Sequence, residues 1–186
     1  MNRFTATELP LIGLKLVERQ RLGDNRGFLS RLFCAEELAG AGWVKPIAQI
    51  NLTCTTSQGT VRGMHFQRPP SAEMKLVTCV RGEIWDVALD VRSNSATYLH
   101  WHAECLSAEN GHALLIPEGF AHGFQALSDE VELLYCHSAA YNPAIEEGLN
   151  PQDAGLAITW PLLISDLSAK DAAYPLIKTG FEGVCL

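Results

Sequence analysis

Short segments with strand character recur along this chain at regular spacing, and no long helical segment lies between them. They are Leu14 to Glu18, Ile47 to Thr55, Met74 to Val80, Ile84 to Val91, Tyr98 to Leu106, His112 to Pro117, Gly123 to Leu127 and Val131 to His137. Turn-forming residues separate them at Gly23-Asp24-Asn25, Gln58-Gly59, Arg81-Gly82, Ser93-Asn94-Ser95, Glu109-Asn110-Gly111 and Ser128-Asp129-Glu130. Parallel strands need crossovers of a dozen residues or more, usually helical, and the chain has no room for them. An antiparallel sandwich or barrel remains, and the expected fold is an all-β jelly-roll barrel. Only Ala35 to Ala41 and Ser168 to Ala173 read as helical, as short peripheral pieces, the second with Ser168 as its N-cap. No internal repeat, low-complexity tract or linker interrupts the pattern.

With 186 residues, 47% of them hydrophobic and 19% charged, the chain can bury one core, so a single domain over residues 1–186 is expected. The net charge of -7 argues against a nucleic-acid or anionic-membrane partner, because both need a concentrated basic face. An anionic ligand must therefore meet cations gathered locally. No apolar run approaches the ~20 residues that cross a bilayer, and Met1 to Val17 carries polar residues throughout, with no signal-peptide core. A soluble, cytoplasmic protein is expected. The six cysteines are scattered with no C-x-x-C pair, several in apolar strand-like runs, and read as buried free thiols.

Chemistry concentrates between Thr60 and Lys75. A histidine (His65), the cations Arg62, Arg68 and Lys75, and a glycine turn at Gly63 fall there within a short reach, beside the apolar run Leu76 to Val80. An imidazole near an ammonium and a guanidinium suits a reaction that moves a proton while negative charge develops. In Ile84 to Asp90, Trp85, Val87 and Leu89 share one strand face and Asp86, Ala88 and Asp90 the other. Those acids either face water or enter a polar cavity beside a histidine. His100, His102 and Glu104 also alternate on one face of a strand, so this H-x-H-x-E spacing is either a metal site or an exposed face. His112 and His137 read as ordinary strand residues. His122, framed by glycines and aromatics in Ile116 to Phe124, either faces a cavity or packs in the core.

Several motifs together point further: Asp24-Asn25-Arg26-Gly27-Phe28, Arg62-Gly63-Met64-His65-Phe66-Gln67, Lys75-Leu76-Val77, Ile116 to Phe124, Tyr135 to Tyr141, Ile158-Thr159-Trp160-Pro161 and Leu167-Ser168-Ala169-Lys170-Asp171. In this order, over about Leu14 to Pro175, the chain closely resembles the dTDP-4-dehydrorhamnose 3,5-epimerase family. The resemblance implies a cupin-like jelly roll, a homodimer, no metal and no dissociable cofactor. The substrate it implies is a nucleotide-diphosphate sugar of the dTDP-4-keto-6-deoxyglucose type, epimerised at C3, C5 or both.

By that resemblance His65 is the base, Asp171 orients it, Lys75 stabilises the oxyanion at C4, and Tyr135 is the general acid on the opposite face. Arg62 and Arg26 match positions that engage the diphosphate. Gln49 and Asn51 match polar residues facing the site, His122 a residue at the cavity, and Tyr141 an aromatic near the nucleotide. Arg31 stands on the substrate-binding side where rhamnose-pathway members commonly carry an acid. Glu73 stands where Gln often precedes the lysine, and Asn150 to Asp153 replaces a Trp-containing turn; all three departures are expected around the pocket. Two rivals remain open, a metal-dependent cupin enzyme using His100, His102 and Glu104, and a non-catalytic nucleotide-sugar-binding cupin module.

Overall fold

The computed structural model describes residues 2–186. In chain order its strands are β1 (Phe4–Glu8), β2 (Lys15–Arg19), β3 (Arg21–Asp24), β4 (Gly27–Ser30), β5 (Gln49–Thr55), β6 (Val61–Gln67), β7 (Lys75–Arg81), β8 (Glu83–Asp90), β9 (Trp101–Ser107), β10 (His112–Ile116), β11 (Phe120–Ala126), β12 (Val131–His137) and β13 (Glu146–Gly148). Two short helices, α1 (Ala35–Ala39) and α2 (Ala169–Ala172), and a 3-10 turn at Ile177–Thr179 complete it. A six-stranded sheet in the order β1-β2-β10-β7-β12-β5 faces a five-stranded sheet in the order β13-β6-β11-β8-β9, and β3 and β4 form a separate hairpin. Within the sheets the strand pairs are antiparallel. The result is the expected jelly roll.

Alternation decides what each face meets. Val77, Cys79, Leu114, Leu133 and Tyr135 of the six-stranded sheet meet Ile84, Leu106 and Phe124 of the other, forming the inner core. Outside the six-stranded sheet, Leu38 and Trp43 cover Leu76, Leu115 and Cys136. Outside the five-stranded sheet, Leu149, Leu156 and Val184 cover Met64, Phe66, Val87 and Leu89. Edge strand β5 departs from the usual order. Its Gln49, Asn51 and Thr53 line a cavity between the sheets, while Ile50 and Leu52 on the alternate face are 57% and 64% exposed.

Several expectations change at this level. Strands β1, β3, β4, β6 and β13 were not legible, and the glycine turn expected at Gly63 is a position inside β6. Gly63 has φ +132, and a Cβ built on it would lie 2.5 Å from the Cα of Gly123 in β11, so the two glycines let the strands approach closely at a register shift. Tyr98 to His100 is not strand. Leu99 has φ 60, which turns the chain before β9 begins at Trp101, so His100 lies outside the strand that carries His102 and Glu104. The thiols are free, but only Cys79 and Cys136 are buried; Cys34 and Cys105 are half-buried, and Cys54 and Cys185 are exposed because they fall on outward or terminal positions. Among the described residues no helix is long and apolar enough to cross a membrane.

The β8–β9 connection is held by Asp90, which is 0% exposed and accepts hydrogen bonds from Arg92 (2.7 and 2.9 Å), Ser95 (2.5 Å) and Thr97 (2.6 Å). Burial pushes its carboxyl up, but Arg92 and the two hydroxyls more than reverse this, leaving it below the ordinary carboxylate range. A folded value below the unfolded one stabilises above the unfolded pKa of about 4 and ceases to do so as pH falls through the folded value. Asp90→Asn is therefore expected to cost about 3 kcal/mol at pH 7 and to flatten the acid limb of stability below pH ~4, as measured by urea unfolding across pH. At the β6–β11 approach, a Cβ on Gly123 would meet Arg62 O at 2.7 Å and Met64 Sδ at 2.6 Å. Gly123→Ala is expected to lose about 2 to 3 kcal/mol in the same measurement.

Candidate active site

Strand β6 and helix α2 build one wall of the cavity. Ser168 caps α2 by accepting a hydrogen bond from Asp171 N at 3.0 Å, which fixes the first turn and aims Asp171 back toward β6. Asp171 is 3% exposed, and its Oδ1 lies 2.7 Å from Nε2 of His65 while Oδ2 accepts from Gly63 N at 3.2 Å. Burial pushes the Asp171 carboxyl up; the hydrogen bond and charge of His65, with Gly63 N–H and Ser168, pull it below the ordinary range. The carboxylate is thus ionised at neutral pH and fixes the orientation of the imidazole. The His65 ring also meets the Tyr174 ring edge-on at 5.6 Å.

Strands β7 and β12 build the opposite wall. Their register sets His137 beside Lys75 and Tyr135 beside Val77, so alternate side chains Lys75, Tyr135 and His137 enter the cavity together. Tyr135 is 9% exposed; burial, reinforced by the charge of Asp86, pushes its phenol well above the ordinary range, so it stays protonated. Lys75 is 8% exposed and lies 3.2 Å from Glu73 Oε1, while Glu73 Oε2 lies 2.8 Å from His137 Nδ1. Burial pushes the Glu73 carboxyl up, and Lys75 and His137 outweigh it, bringing it below the ordinary range.

A third histidine pair closes the floor. His122 of β11 lies 2.7 Å from Asp86 of β8, and its ring meets Tyr135 edge-on at 5.9 Å. Asp86 is 0% exposed, so neither β8 acid faces water: Asp86 stands behind the cavity-lining His122, whereas Asp90 holds a turn. His65, His122 and His137 each carry a carboxylate partner in a cavity of about 680 Å³.

Toward the mouth, Arg62 is exposed and lines the cavity, its Nε donating to Thr55 Oγ1 at 3.0 Å and its Nη2 to Cys54 O at 3.4 Å. Gln49 donates to Asn51 at 3.0 Å and accepts from Tyr141 N at 3.0 Å, and the Tyr141 hydroxyl donates to Glu146 at 3.1 Å. Lys170 also pairs with Glu146. Sequence reasoning missed Glu146, Lys170 and His137 as cavity residues. Glu146 sits on a three-residue strand with no periodic signal, and Lys170 lies inside the Leu167 to Asp171 motif already noted.

Arg26 and Arg31 do not join this cavity. Arg26 lies on the β3–β4 hairpin and pairs with Asp24 at 2.6 Å, and Arg31 pairs with Glu37, because the hairpin stands apart from both sheets. Of the three departures expected around the pocket, only Glu73 lines it; Asp153 is buried in a turn, accepting from Gly155 N and Ile177 N. The metal arrangement is not assembled either. His102 and Glu104 pair at 2.8 Å, His100 is outside β9, and among the described residues no group of three potential ligands could hold a metal ion.

Comparison with known proteins bears on the sequence and the fold. The family model described as dTDP-4-dehydrorhamnose 3,5-epimerase matches residues 8–179. A dTDP-4-dehydrorhamnose 3,5-epimerase of Sinorhizobium fredii is 40% identical over 172 residues, covering 90% of this chain and 86% of the relative. A dTDP-4-dehydrorhamnose 3-epimerase of Streptomyces niveus is 38% identical over 164 residues, covering 88% and 79%. The crystal structure of the dTDP-6-deoxy-D-glucose-3,5-epimerase of Legionella pneumophila, in complex with dTDP-4-keto-L-rhamnose, superposes with a TM-score of 0.92 at 34% identity, covering 98% of each chain. A model match over most of the chain, carried by the same fold and relatives at this identity, shows that the chain belongs to the dTDP-4-dehydrorhamnose 3,5-epimerase family.

Proposed function

We propose that this chain epimerises a dTDP-linked 4-keto-6-deoxyhexose at a carbon beside its ketone, by proton removal and return through an enolate. The observation that carries the reading is the placing of a histidine–carboxylate pair, His65–Asp171, on one sheet and a protonated phenol, Tyr135, on the other, with the Lys75 ammonium in the same cavity. A sugar ring held between the sheets meets a base from one side and an acid from the other.

The electron count closes with these groups alone. His65 takes the hydrogen from the carbon beside the C4 ketone as a proton; the C–H electron pair moves into the ring C–C bond and the carbonyl pair onto oxygen, giving an enolate. Lys75 stabilises that oxyanion, an electrostatic contribution for which a single lost donor costs ~100- to 1000-fold in rate. The enolate collapses, and its carbon takes the phenolic proton of Tyr135 on the opposite face, which inverts the centre. Proton exchange with solvent restores the imidazole and the phenol. Asp171 stabilises the imidazolium form of His65 between the two steps.

Arg62 is suited to the diphosphate, because a guanidinium holds phosphate oxygens in bidentate fashion and this acidic chain must bind a dianion locally. Gln49, Asn51, His122 and Tyr141 complete the proposed substrate contacts. Arg26 and Arg31 are assigned to the cavity of a partner subunit. The support is the β3–β4 hairpin, whose Phe28 and Leu29 are 60% and 65% exposed, together with the bare Ile50 and Leu52 on edge strand β5. Apolar side chains in that number suit contact with a second copy, so the functional unit proposed is a homodimer. The free thiols suit a reducing compartment, and the cytoplasm is the proposed location.

The decisive experiment incubates the protein with dTDP-4-keto-6-deoxyglucose in deuterated water and follows the C3 and C5 protons by NMR. Exchange at both carbons is expected, unaffected by chelator, and His65→Asn is expected to slow it by about 100- to 10,000-fold. Absence of exchange in the wild-type protein, or full exchange in His65→Asn, would sink the reading; exchange at one carbon would narrow it to a single-centre epimerase. For the assembly, Ile50→Asp with Leu52→Asp is expected to convert a dimer to a monomer in sedimentation, with a rise in KM as the partner's arginines leave the site.

A further inference from the structure

The cavity wall beside Lys75 holds two groups that the four-residue reaction above does not use. Glu73 and Lys75 are two apart in extended chain and so share a face, and antiparallel register puts His137 directly across from Lys75. The Glu73 carboxylate bridges them, 3.2 Å from Lys75 Nζ and 2.8 Å from His137 Nδ1. His137 in turn stacks on Tyr135, with ring centroids 5.8 Å apart and planes 20° off parallel. Side-chain exposure is 9% for Glu73, 10% for Lys75 and 12% for His137, so the whole chain of contacts is shielded from water.

Two features set this apart from an ordinary buried ion pair. With Nδ1 donating to Glu73, Nε2 of His137 is left buried and without a partner among the described residues, an arrangement that costs stability and calls for a compensating role. The contacts also run unbroken from the proposed acid, Tyr135, through His137 and Glu73 to the proposed oxyanion cation, Lys75. A lysine side chain is flexible, and an electrostatic group must be fixed to within ~0.5 Å to favour a transition state over a ground state.

Resting on the epimerase reading, we infer that Glu73 and His137 act as one positioning unit, holding the Lys75 ammonium at the ketone oxygen in fixed register with the Tyr135 phenol. Neither is a catalytic residue; each acts through Lys75. Glu73 supplies the counter-charge that keeps the ammonium in the cavity wall, and His137 fixes the carboxylate rotamer from behind while packing on the acid's ring. Their contribution therefore belongs to turnover and not to nucleotide-sugar binding, which is centred on Arg62.

A double-mutant cycle tests this. Glu73→Gln keeps the shape and removes the charge; His137→Phe keeps the stack on Tyr135 and removes Nδ1–H. Deuterium incorporation into dTDP-4-keto-6-deoxyglucose is measured at saturating substrate, with KM and dTDP affinity alongside. Each single variant is expected to lower kcat by about 10- to 100-fold with KM and dTDP affinity within about threefold of wild type. The double variant is expected to be no more than about twofold slower than the worse single one, since residues acting as a unit are non-additive. Wild-type kcat in either single variant, losses that multiply in the double, or a change in KM alone would overturn the inference. If Glu73→Gln fails to bind dTDP, the His137→Phe result decides by the same kcat criterion. Wild-type exchange that requires His65 separates these outcomes from failure of the epimerase reading, whereas wild-type protein without exchange removes both.

Discussion

Charge buried between two sheets is the constraint around which this molecule is arranged. A carboxylate or ammonium taken out of water is costly unless a partner and hydrogen bonds meet it, and here carboxylates, imidazoles and ammonium groups line one cavity, with the buried Asp86 carboxylate behind its floor. Three of the carboxylates meet imidazoles: Asp171 with His65, Asp86 with His122, and Glu73 with His137, Glu73 also pairing with Lys75. The imidazole partners come from another strand, from a helix or from the segment leading into β7. The charges can therefore be matched only when both sheets and α2 are in place, and the cavity's chemistry depends on the complete fold.

The two sheets divide the work. The five-stranded sheet, with α2 closing on it, carries His65 and its carboxylate; the six-stranded sheet carries Lys75, Tyr135 and the Glu73–His137 pair. The floor pair His122–Asp86 touches the Tyr135 ring and so connects the halves. A β-sandwich suits such chemistry because alternation lets one strand present polar groups to a cavity and apolar groups to a covering layer. Strand β12 does this with Tyr135 and His137 inward and Cys136 outward. The close approach of Gly63 to Gly123 draws β6 and β11 together at the point where His65 and His122 face the same space.

Much of this was legible before the structure. The all-β architecture followed from short alternating segments with nowhere to place crossover helices, and Val131 to His137 came out with its boundaries intact. Ser168 was recognisable as a helix cap because a short polar side chain before a helical turn has one dominant use. The set His65, Lys75, Tyr135 and Asp171 became visible through resemblance, not through spacing. Strand β6 stayed hidden because Gly63 and the following prolines imitate a turn, and its extended run is held by pairing with the distant β11 and β13. Asp86 was left between water and cavity, and His137 was passed over, since nothing local marks either.

What the sequence determined by itself is the set of local preferences: which segments are strands, which faces are apolar, where turns fall, and that any anionic ligand must be met by a few gathered cations. Those follow from period-two alternation and turn chemistry, which act over a handful of residues. What only the tertiary structure decided is which charges are partners. Asp171 lies 106 residues from His65, His137 lies 64 from Glu73, and His122 lies 36 from Asp86. No local rule couples such positions; strand order, register and the angle at which α2 closes do. The same holds for Arg26 on the β3–β4 hairpin and Arg31 just after it, which the chain places away from its own cavity, since a hairpin's reach depends on what it packs against.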